Sequence, residues 1–233
     1  MRRFINIVIN SHIAWILASM NILVYLLQVH DVFTFTDLFT LSNDFERAIL
    51  QPWRLVSFAF IHLSPLHLAF NTILIILAGA WLQHLASSAE VVATYLLGAL
   101  CGAFSFIAIC TYAGPSTFVL TGASSAVIAM LIVALVHTDN ISLTIGRRQI
   151  VLRPRYLIII IVLIIVSGFI GYNFGGTAAH VGGIIGGLII PVLTKAFSRR
   201  PADSLIEKVN VSGFSSLSTE ERKRLFNMNP NNK

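Results

Sequence analysis

Long apolar runs, separated by short polar stretches, occupy most of the chain. Several runs approach the length of about 20 residues that an α-helix needs to cross the hydrocarbon layer of a membrane. The packed core of a soluble domain of this size cannot absorb so much apolar surface. The pattern predicts six membrane-spanning helices, over residues 13–29, 66–85, 91–112, 122–136, 156–172 and 178–197.

The composition of the chain agrees with this pattern. Hydrophobic residues make up 56% and charged residues 11% of the 233 residues, and the mean hydropathy is +0.81. An average soluble domain carries about a quarter charged residues. Arg2 and Arg3 precede the first apolar run as in a signal peptide, but no small-residue cleavage site follows and five more runs do. We therefore predict an all-α membrane protein whose first run is retained as an anchor.

Basic residues are unevenly distributed among the predicted connections. If six helices alternate in direction, fourteen of the sixteen Lys and Arg residues fall on one side of the membrane, which the positive-inside rule assigns to the cytoplasm. The expected order is a cytoplasmic N-terminus (1–12), a membrane domain (13–197) with a long outer loop over about 30–65, and a cytoplasmic tail (198–233). Topology and attraction to anionic lipid head groups explain the net charge of +6, so no nucleic-acid partner is implied.

Polar residues lie near the outer ends of three predicted helices. The second helix carries His67 and Asn71, the fourth carries Ser124, and the sixth carries His180. All three helices begin on the outer side, so these side chains are expected at one depth below the outer surface. Polar groups inside a membrane usually face a bundle interior or a wet cavity, and they are functional by default.

These four side chains suit acyl-transfer chemistry. A serine hydroxyl becomes an effective nucleophile when a neighbouring base takes its proton, so we predict Ser124 as nucleophile and His180 as general base. His67 and Asn71 are spaced i, i+4 on one helix face and can donate to an oxyanion, together with backbone N–H groups around Ser124. No Asp or Glu lies within a predicted helix, so no third triad member is assigned.

Four short motifs contain these residues. They are Trp53-Arg54 in the outer loop, His62, His67 and Asn71 around the start of the second helix, Gly122-Ala123-Ser124 opening the fourth, and Ala179-His180-Val181-Gly182-Gly183 in the sixth. Each motif alone is weakly specific. In this order and on these helices, over about residues 13–197, they resemble the rhomboid family of intramembrane serine proteases.

The resemblance implies a six-helix rhomboid-like bundle that cleaves membrane-protein substrates near the outer membrane face through an acyl-enzyme. It implies Ser124 and His180 as a catalytic dyad, with oxyanion donors from His67, Asn71 and the Ser124 backbone. It also implies that residues 113–121 dip into the membrane. The positions expected to support the site are Gly122, Gly183, Gly187, Trp53 and Arg54.

The expected partners are the lipid bilayer and single-span membrane proteins whose helix unravels near the outer face. No cofactor or metal is expected, because the mechanism needs none and the His-Glu-x-x-His motif of metalloproteases does not occur. Compact size and the lack of a transit peptide favour a bacterial plasma membrane. The oligomeric state is left open.

Two positions depart from the family pattern. Ser125 stands where a glycine often follows the nucleophile, and Ile128 stands where a tyrosine often packs against the catalytic histidine. We expect these changes to affect the rate more than the mechanism. The Gly-x-Ser register favours Ser124 over Ser125 as nucleophile.

Alternative interpretations remain open at this point. Ser124 and Ser125 could serve only as small residues at a helix interface. The chain could be a catalytically weak or inactive relative that binds membrane proteins. A small transporter or channel would also carry polar groups within its bundle, although internal repeats and charged pathway residues are missing from the sequence.

Three further features have structural interpretations. Trp53-Arg54 is typical of an interfacial anchor, with the cation reaching lipid phosphate or loop carbonyls. Gly183 and Gly187 form a Gly-x-x-x-Gly pair that permits the close helix approach needed for His180 to reach Ser124. In the tail, residues 218–221 predict a capping box that opens a short helix ending at about residue 228.

Overall fold

The computed structural model describes residues 2–113, 118–138, 141–145, 148–152, 173–197, 209 and 214–222. These residues are mostly helical. They divide into two compact units, Met1–Pro191 and Val192–Lys233. Every residue of the predicted site lies in the first unit.

Four described helices are long and apolar enough to cross a membrane, and a fifth apolar helix is shorter. The predicted helix over residues 156–172 lies outside the described residues. The predicted edges of the first three long helices agree closely with those observed. Apart from the short helices between α2 and α6, the described helices as far as Phe197 are α1 (Arg2–Ile9), α2 (His12–His30), α6 (Pro65–Leu85), α7 (Ser88–Tyr112), the short α8 (Ser124–Val136) and α9 (Phe174–Phe197).

Helix α9 begins at Phe174, four residues before its predicted start. Asn173 explains the earlier start, because its side-chain Oδ1 accepts the N–H of Gly176 at 2.9 Å. Its backbone carbonyl accepts the N–H of Thr177 at 3.0 Å. An asparagine in this position satisfies N–H groups that a helix start otherwise leaves unpaired. His180 therefore lies in the second turn of α9 rather than in its first.

The short helix α8 occupies the centre of the first unit. Every residue from Ser125 to Ala134 is buried, and α8 packs against both α6 and α7. Gly98 of α7 permits this close approach: a Cβ placed there would lie 2.5 Å from Ala129 Cβ and 3.1 Å from Ala126 Cα. Protein rather than lipid therefore surrounds α8.

The chain between α2 and α6, which we call the α2–α6 connection (residues 31–64), is folded rather than extended. Its innermost turn is buried, since Phe58 and Ala59 are fully inaccessible. The carbonyl of Ala59 accepts the Tyr95 hydroxyl of α7 at 3.3 Å, which fixes this turn inside the bundle. The connection contains α3 (Val32–Phe39), β1 (Leu41–Ser42), α4 (Phe45–Leu50), α5 (Arg54–Ser57) and a 3-10 turn (Phe58–Phe60).

A two-residue antiparallel pairing ties this connection to the segment that precedes α8. Strand β1 pairs with β2 (Val119–Leu120), with Leu41 opposite Leu120. The Asn43 side-chain Oδ1 extends the pairing by accepting the N–H of Phe118 at 2.9 Å. Residues 114–117 of the predicted membrane-dipping segment lie outside the described residues. The pairing fixes the part of the chain that leads directly into Gly122.

A β-hairpin, which the all-α prediction did not include, follows α8. Strands β3 (Ile141–Ile145) and β4 (Arg148–Leu152) pair antiparallel, with Ile141 opposite Leu152 and Ile145 opposite Arg148. Both strands are rich in β-branched residues, which favour this conformation.

The described part of the second unit includes a 3-10 turn, Phe214–Ser216, and helical residues 219–222. The N–H of Ser218 donates to Glu221 Oε2 at 2.7 Å, and the N–H of Glu221 donates to Ser218 Oγ at 3.2 Å. This reciprocal pair confirms the predicted capping box. The predicted continuation to residue 228 lies outside the described residues.

Candidate active site

Ser124 and His180 form a direct hydrogen-bonded pair. Ser124 is the first residue of α8, His180 lies in the second turn of α9, and the distance from Ser124 Oγ to His180 Nε2 is 2.8 Å. The imidazole is 7% exposed. Its second nitrogen, Nδ1, has no hydrogen-bond partner in the described part of the chain. The pair therefore has the geometry in which an imidazole can take the hydroxyl proton.

Two adjacent glycines bring α9 against its neighbours at the level of this pair. A Cβ on Gly183 would collide with the backbone carbonyl oxygen of Ser125 in α8. A Cβ on Gly182 would collide with the backbone carbonyl oxygen of Cys101 in α7. Because backbone cannot rotate away as a side chain can, both positions exclude any larger residue at the present helix spacing. Gly187, predicted to support the site, faces Ile132 of α8, whose Cβ would lie 2.7 Å from an added Cβ.

Ser105 adds a polar link near His180 that the sequence analysis missed. Its Oγ donates to the carbonyl oxygen of Ala178 at 2.8 Å, which joins α7 to α9 two residues before His180. The signal was available, because Ser105 is a polar residue within an apolar run. Its role was not predicted because a lone serine in a membrane helix more often fills space at an interface.

Gly122 forms a tight turn immediately before the nucleophile candidate. Its φ is +97°, a conformation that side chains rarely adopt. Its N–H donates to the carbonyl of Phe58 at 2.9 Å. A Cβ at this position would also lie 2.6 Å from His67 Cε1. The backbone conformation therefore requires glycine, and a larger residue would also displace the His67 ring.

The two predicted oxyanion donors, His67 and Asn71, have different contacts near Ser124 and His180. The ring of His67 lies against Gly122, two residues before Ser124. Asn71 is buried, its Nδ2 donates to the carbonyl of His67 at 2.9 Å, and its Oδ1 has no partner among the described residues. No described hydrogen bond joins Asn71 to Ser124 or His180. One N–H of its amide group is still available after the bond to His67.

The start of α8 provides additional donors. Ala123, at the N-cap, supplies no side-chain acceptor, and the first N–H groups of a helix have no partner within the helix. These groups carry the partial positive charge of the helix N-terminus. They lie at the same helix start as the Ser124 hydroxyl.

Ser125, the second hydroxyl, has a different environment. It is 1% exposed, and a Cβ on Gly102 of α7 would lie 2.5 Å from its Oγ. The Oγ has no hydrogen-bond partner among the described residues. The Ser125 side chain therefore packs against α7, whereas the Ser124 side chain bonds to α9.

Trp53 and Arg54 contact loop carbonyls within the α2–α6 connection. The indole Nε1 of Trp53 donates to the carbonyl of Leu38 at 3.0 Å. Arg54 is 2% exposed and donates to the carbonyl of Thr40 at 2.6 Å. It also donates to the Asp37 carbonyl and to Gln51 Oε1. The guanidinium thus reaches loop carbonyls rather than lipid phosphate, the second of the two roles expected for an interfacial anchor.

Apolar helices of membrane-crossing length indicate an integral membrane protein, and this one contains a hydrogen-bonded pair of Ser and His. The family model described as Rhomboid domain matches residues 50–197. The chain therefore belongs to the rhomboid family. It is also similar to the Rhomboid protease GluP of Bacillus subtilis (strain 168), with 28% identity over 170 residues, which cover 70% of this chain and 31% of that protein. The chain thus spans about a third of the length of this curated relative.

Proposed function

We propose that this rhomboid-family chain is an intramembrane serine endopeptidase that cleaves membrane proteins through a Ser124–His180 dyad. The hydrogen bond of 2.8 Å between Ser124 Oγ and His180 Nε2 is the observation that carries the proposal. Family membership and the named protease activity of the Bacillus subtilis relative support it.

The first half of the reaction forms an acyl-enzyme. Nε2 of His180 takes the hydroxyl proton while Ser124 Oγ attacks the carbonyl carbon of the scissile peptide. The resulting tetrahedral intermediate collapses, the C–N bond breaks, and the proton on His180 passes to the departing amine. The amine product leaves, and the acyl group stays on Ser124 as an ester.

The second half returns the enzyme to its starting state. A water molecule attacks the ester carbonyl while His180 takes one of its protons. The second tetrahedral intermediate collapses, the proton passes to Ser124 Oγ, and the carboxylic acid product leaves. No cofactor or metal takes part in this scheme.

The negative charge of both intermediates is assigned to donors around the start of α8. The N–H groups of the first turn of α8, the His67 ring and the free N–H of the Asn71 amide are the proposed oxyanion donors. Donors fixed in position stabilise developing charge at no reorganisation cost, and one such donor typically contributes about 3 kcal/mol. The contact between His67 and Gly122 supports the inclusion of His67.

The length of α8 supports a site inside the membrane. At a rise of 1.5 Å per residue, its 13 residues span about 20 Å, less than the hydrocarbon thickness of about 30 Å. A helix that reaches one membrane face at its C-terminus would therefore begin below the opposite face. The proposed substrates are single-span proteins whose helix unwinds near the outer face, since attack requires an accessible peptide carbonyl.

The proposal includes a six-helix topology with both termini in the cytoplasm of a bacterial plasma membrane. Single cysteines introduced by Glu46→Cys and Ser204→Cys, each in a background without Cys101 and Cys110, test it. An impermeant maleimide is expected to label the Glu46→Cys variant in intact cells. It should label the Ser204→Cys variant only after the membrane is permeabilised, and the reverse pattern would contradict the topology.

Labelling with a serine-directed phosphonate in detergent tests the nucleophile. Ser124→Ala is expected to abolish labelling, whereas Ser125→Ala is expected to retain it. The free energy of unfolding of Ser125→Ala should be unchanged or higher by about 1 kcal/mol, because the removed hydroxyl is buried and has no partner among the described residues. Equal labelling of both variants would refute the assignment of Ser124.

The second candidate is a weak or inactive rhomboid-like protein that binds other membrane proteins. Two features favour a low rate: Ile128 offers no aromatic face, and His180 Nδ1 has no described partner to orient the ring. Purified protein that binds a single-span client but fails to cleave it, with or without Ser124→Ala, would support this candidate.

A further inference from the structure

Gln28 is a buried polar residue near the C-terminal end of α2 that the proposed chemistry does not use. It is 2% exposed. Its Nε2 donates to the carbonyl of His62 at 2.9 Å, and its Oε1 accepts the N–H of His62 at 3.3 Å. One side chain thus satisfies both backbone groups of one residue in another segment.

His62 lies in a stretch without regular secondary structure. Residues 61–64 separate the 3-10 turn from α6, so the backbone groups of His62 have no helix or strand in which to pair. Irregular backbone within a membrane protein requires such partners from elsewhere in the protein. Gln28 supplies them and thereby fixes the backbone on which the His62 ring is carried.

The His62 ring in turn contacts the His67 ring. Their centroids are 5.0 Å apart, and the rings meet edge to face at 65°. Burial, with a smaller contribution from His67, lowers the pKa of His62 to about 4. His62 is therefore neutral at physiological pH and acts on its neighbour by packing rather than by charge. On its other side, His67 contacts Gly122, which leads into Ser124.

We propose that Gln28 is a positioning residue for the oxyanion site, because its amide holds the His62 backbone and thereby the ring that packs against His67. This inference rests on the proposed function. It connects α2, which carries none of the predicted catalytic residues, to His67, one of the proposed oxyanion donors. The effect of losing Gln28 should fall on the transition state, since oxyanion donors act mainly where charge develops.

The test measures steady-state cleavage of a single-span model substrate by the full chain reconstituted in liposomes. Gln28→Met keeps the size of the side chain and removes both hydrogen bonds. We expect kcat to fall roughly tenfold with KM within about twofold, a partial loss compared with the 10²-fold or greater effect of removing a donor outright. Labelling by the phosphonate, which also develops charge at the oxyanion site, should slow in parallel.

Gln28→Glu provides a second variant with a distinctive pH profile. A protonated carboxyl group can donate to the His62 carbonyl and accept its N–H, as the amide does, whereas a carboxylate has no donor. Burial raises the pKa of a carboxyl group. We therefore expect kcat of this variant, relative to wild type, to be near one at low pH and to fall as the pH rises.

Gln83→Met is the matched control. Gln83 also links α6 to α2, through the N–H of Ile13 at 3.1 Å and a 3.2 Å contact with His12 Nδ1, but at the opposite end of α2. Its loss should change kcat less than twofold. If Gln28 only stabilised the packing of α2, Gln28→Met and Gln83→Met would lower kcat by similar factors. Such a result would overturn the inference.

The remaining outcomes are separable. An active wild type with unchanged kcat in Gln28→Met would overturn the inference and leave the proposed function intact. An inactive wild-type chain would overturn the proposed function and the inference with it. If Gln28→Met does not fold, the Gln28→Glu variant decides the question. A ratio of its kcat to that of wild type that stays constant across the pH range would by itself refute the positioning role.

Discussion

A chain carrying both Ser124→Ala and His180→Ala is expected to cleave substrate no more slowly than either single variant. Each of the three should lose a similar factor in kcat, on the order of 10⁶-fold, because the two side chains act as one unit. Without the hydroxyl, the imidazole has no proton to take. Without the imidazole, the hydroxyl remains a weak nucleophile. The measurement is single-turnover cleavage of a reconstituted single-span substrate by wild type and the three variants.

Additivity would contradict the dyad. If the loss in the double variant were the product of the two single losses, Ser124 and His180 would contribute independently, and the 2.8 Å bond would not be the catalytic interaction. Ser125→Ala is the control, since it removes a neighbouring hydroxyl that packs against Gly102. It should leave kcat within about threefold of wild type, because the removed hydroxyl has no hydrogen-bond partner among the described residues and so belongs to no unit with the dyad.

The parts of the fold that the sequence predicted well depend on local pattern. The edges of α2, α6 and α7 follow directly from apolar runs bounded by polar residues. The predicted start of α9 lies four residues after the observed start, and two residues between them, Gly175 and Gly176, have low helix propensity. Asn173 overrides that tendency by capping the helix through its side chain. Capping is readable from sequence, but its signal is easily masked by two adjacent glycines.

Candidate site residues could be predicted where a sequence motif places them on a predicted helix. Motif register selected Ser124 and His180, and the close approach that Gly183 permits was expected from its Gly-x-x-x-Gly spacing. Contacts between distant segments that carry no recognised motif were not predictable. The β1–β2 pairing joins residues about 80 positions apart, and the bonds from Gln28 to His62 span 34 positions. No single-chain periodicity encodes such pairings.

The polar residues missed by the sequence analysis share one property. Gln28 and Ser105 each satisfy a backbone group of another segment. The side chains predicted to react could be selected from the sequence because their chemistry is distinctive. The side chains that hold irregular or closely packed backbone were missed because glutamine and serine have many structural uses. In a membrane protein, where water cannot satisfy buried backbone, such residues merit the same attention as reactive ones.

Gly183→Ala is the second substitution with a large expected effect. The added Cβ would lie 3.0 Å from Ser125 Cα and 3.1 Å from Ser125 C, and closer still to the carbonyl oxygen. These are backbone atoms of α8, so the helices must separate at the level of the dyad. A displacement on the order of 1 Å at a reacting group can cost about 10²-fold in rate. We expect kcat to fall by roughly this factor.

Stability should change much less than activity in this variant. Overpacking a closely fitted contact costs about 1–3 kcal/mol, while replacing glycine by alanine within a helix returns about 0.5–1 kcal/mol. The free energy of unfolding should therefore fall by roughly 1–2 kcal/mol, measurable by thermal unfolding in detergent. A variant that remains folded but is nearly inactive would show that helix spacing controls the Ser124–His180 contact.

Gly186→Ala is the matched control on the same helix. Its added Cβ would meet Cβ and Sγ of Cys101 at 3.1 Å, a contact that a shift of a few tenths of an ångström relieves, and the nearest backbone atom, Gly98 Cα, would lie 3.7 Å away. Activity should remain within about threefold of wild type. Equal losses of kcat in Gly183→Ala and Gly186→Ala would mean that an added methyl group at either position of α9 disturbs the site. The distance between α8 and α9 at Ser125 would then not be what controls the activity. Full activity of Gly183→Ala would mean that His180 reaches Ser124 across a wider gap than the observed geometry allows.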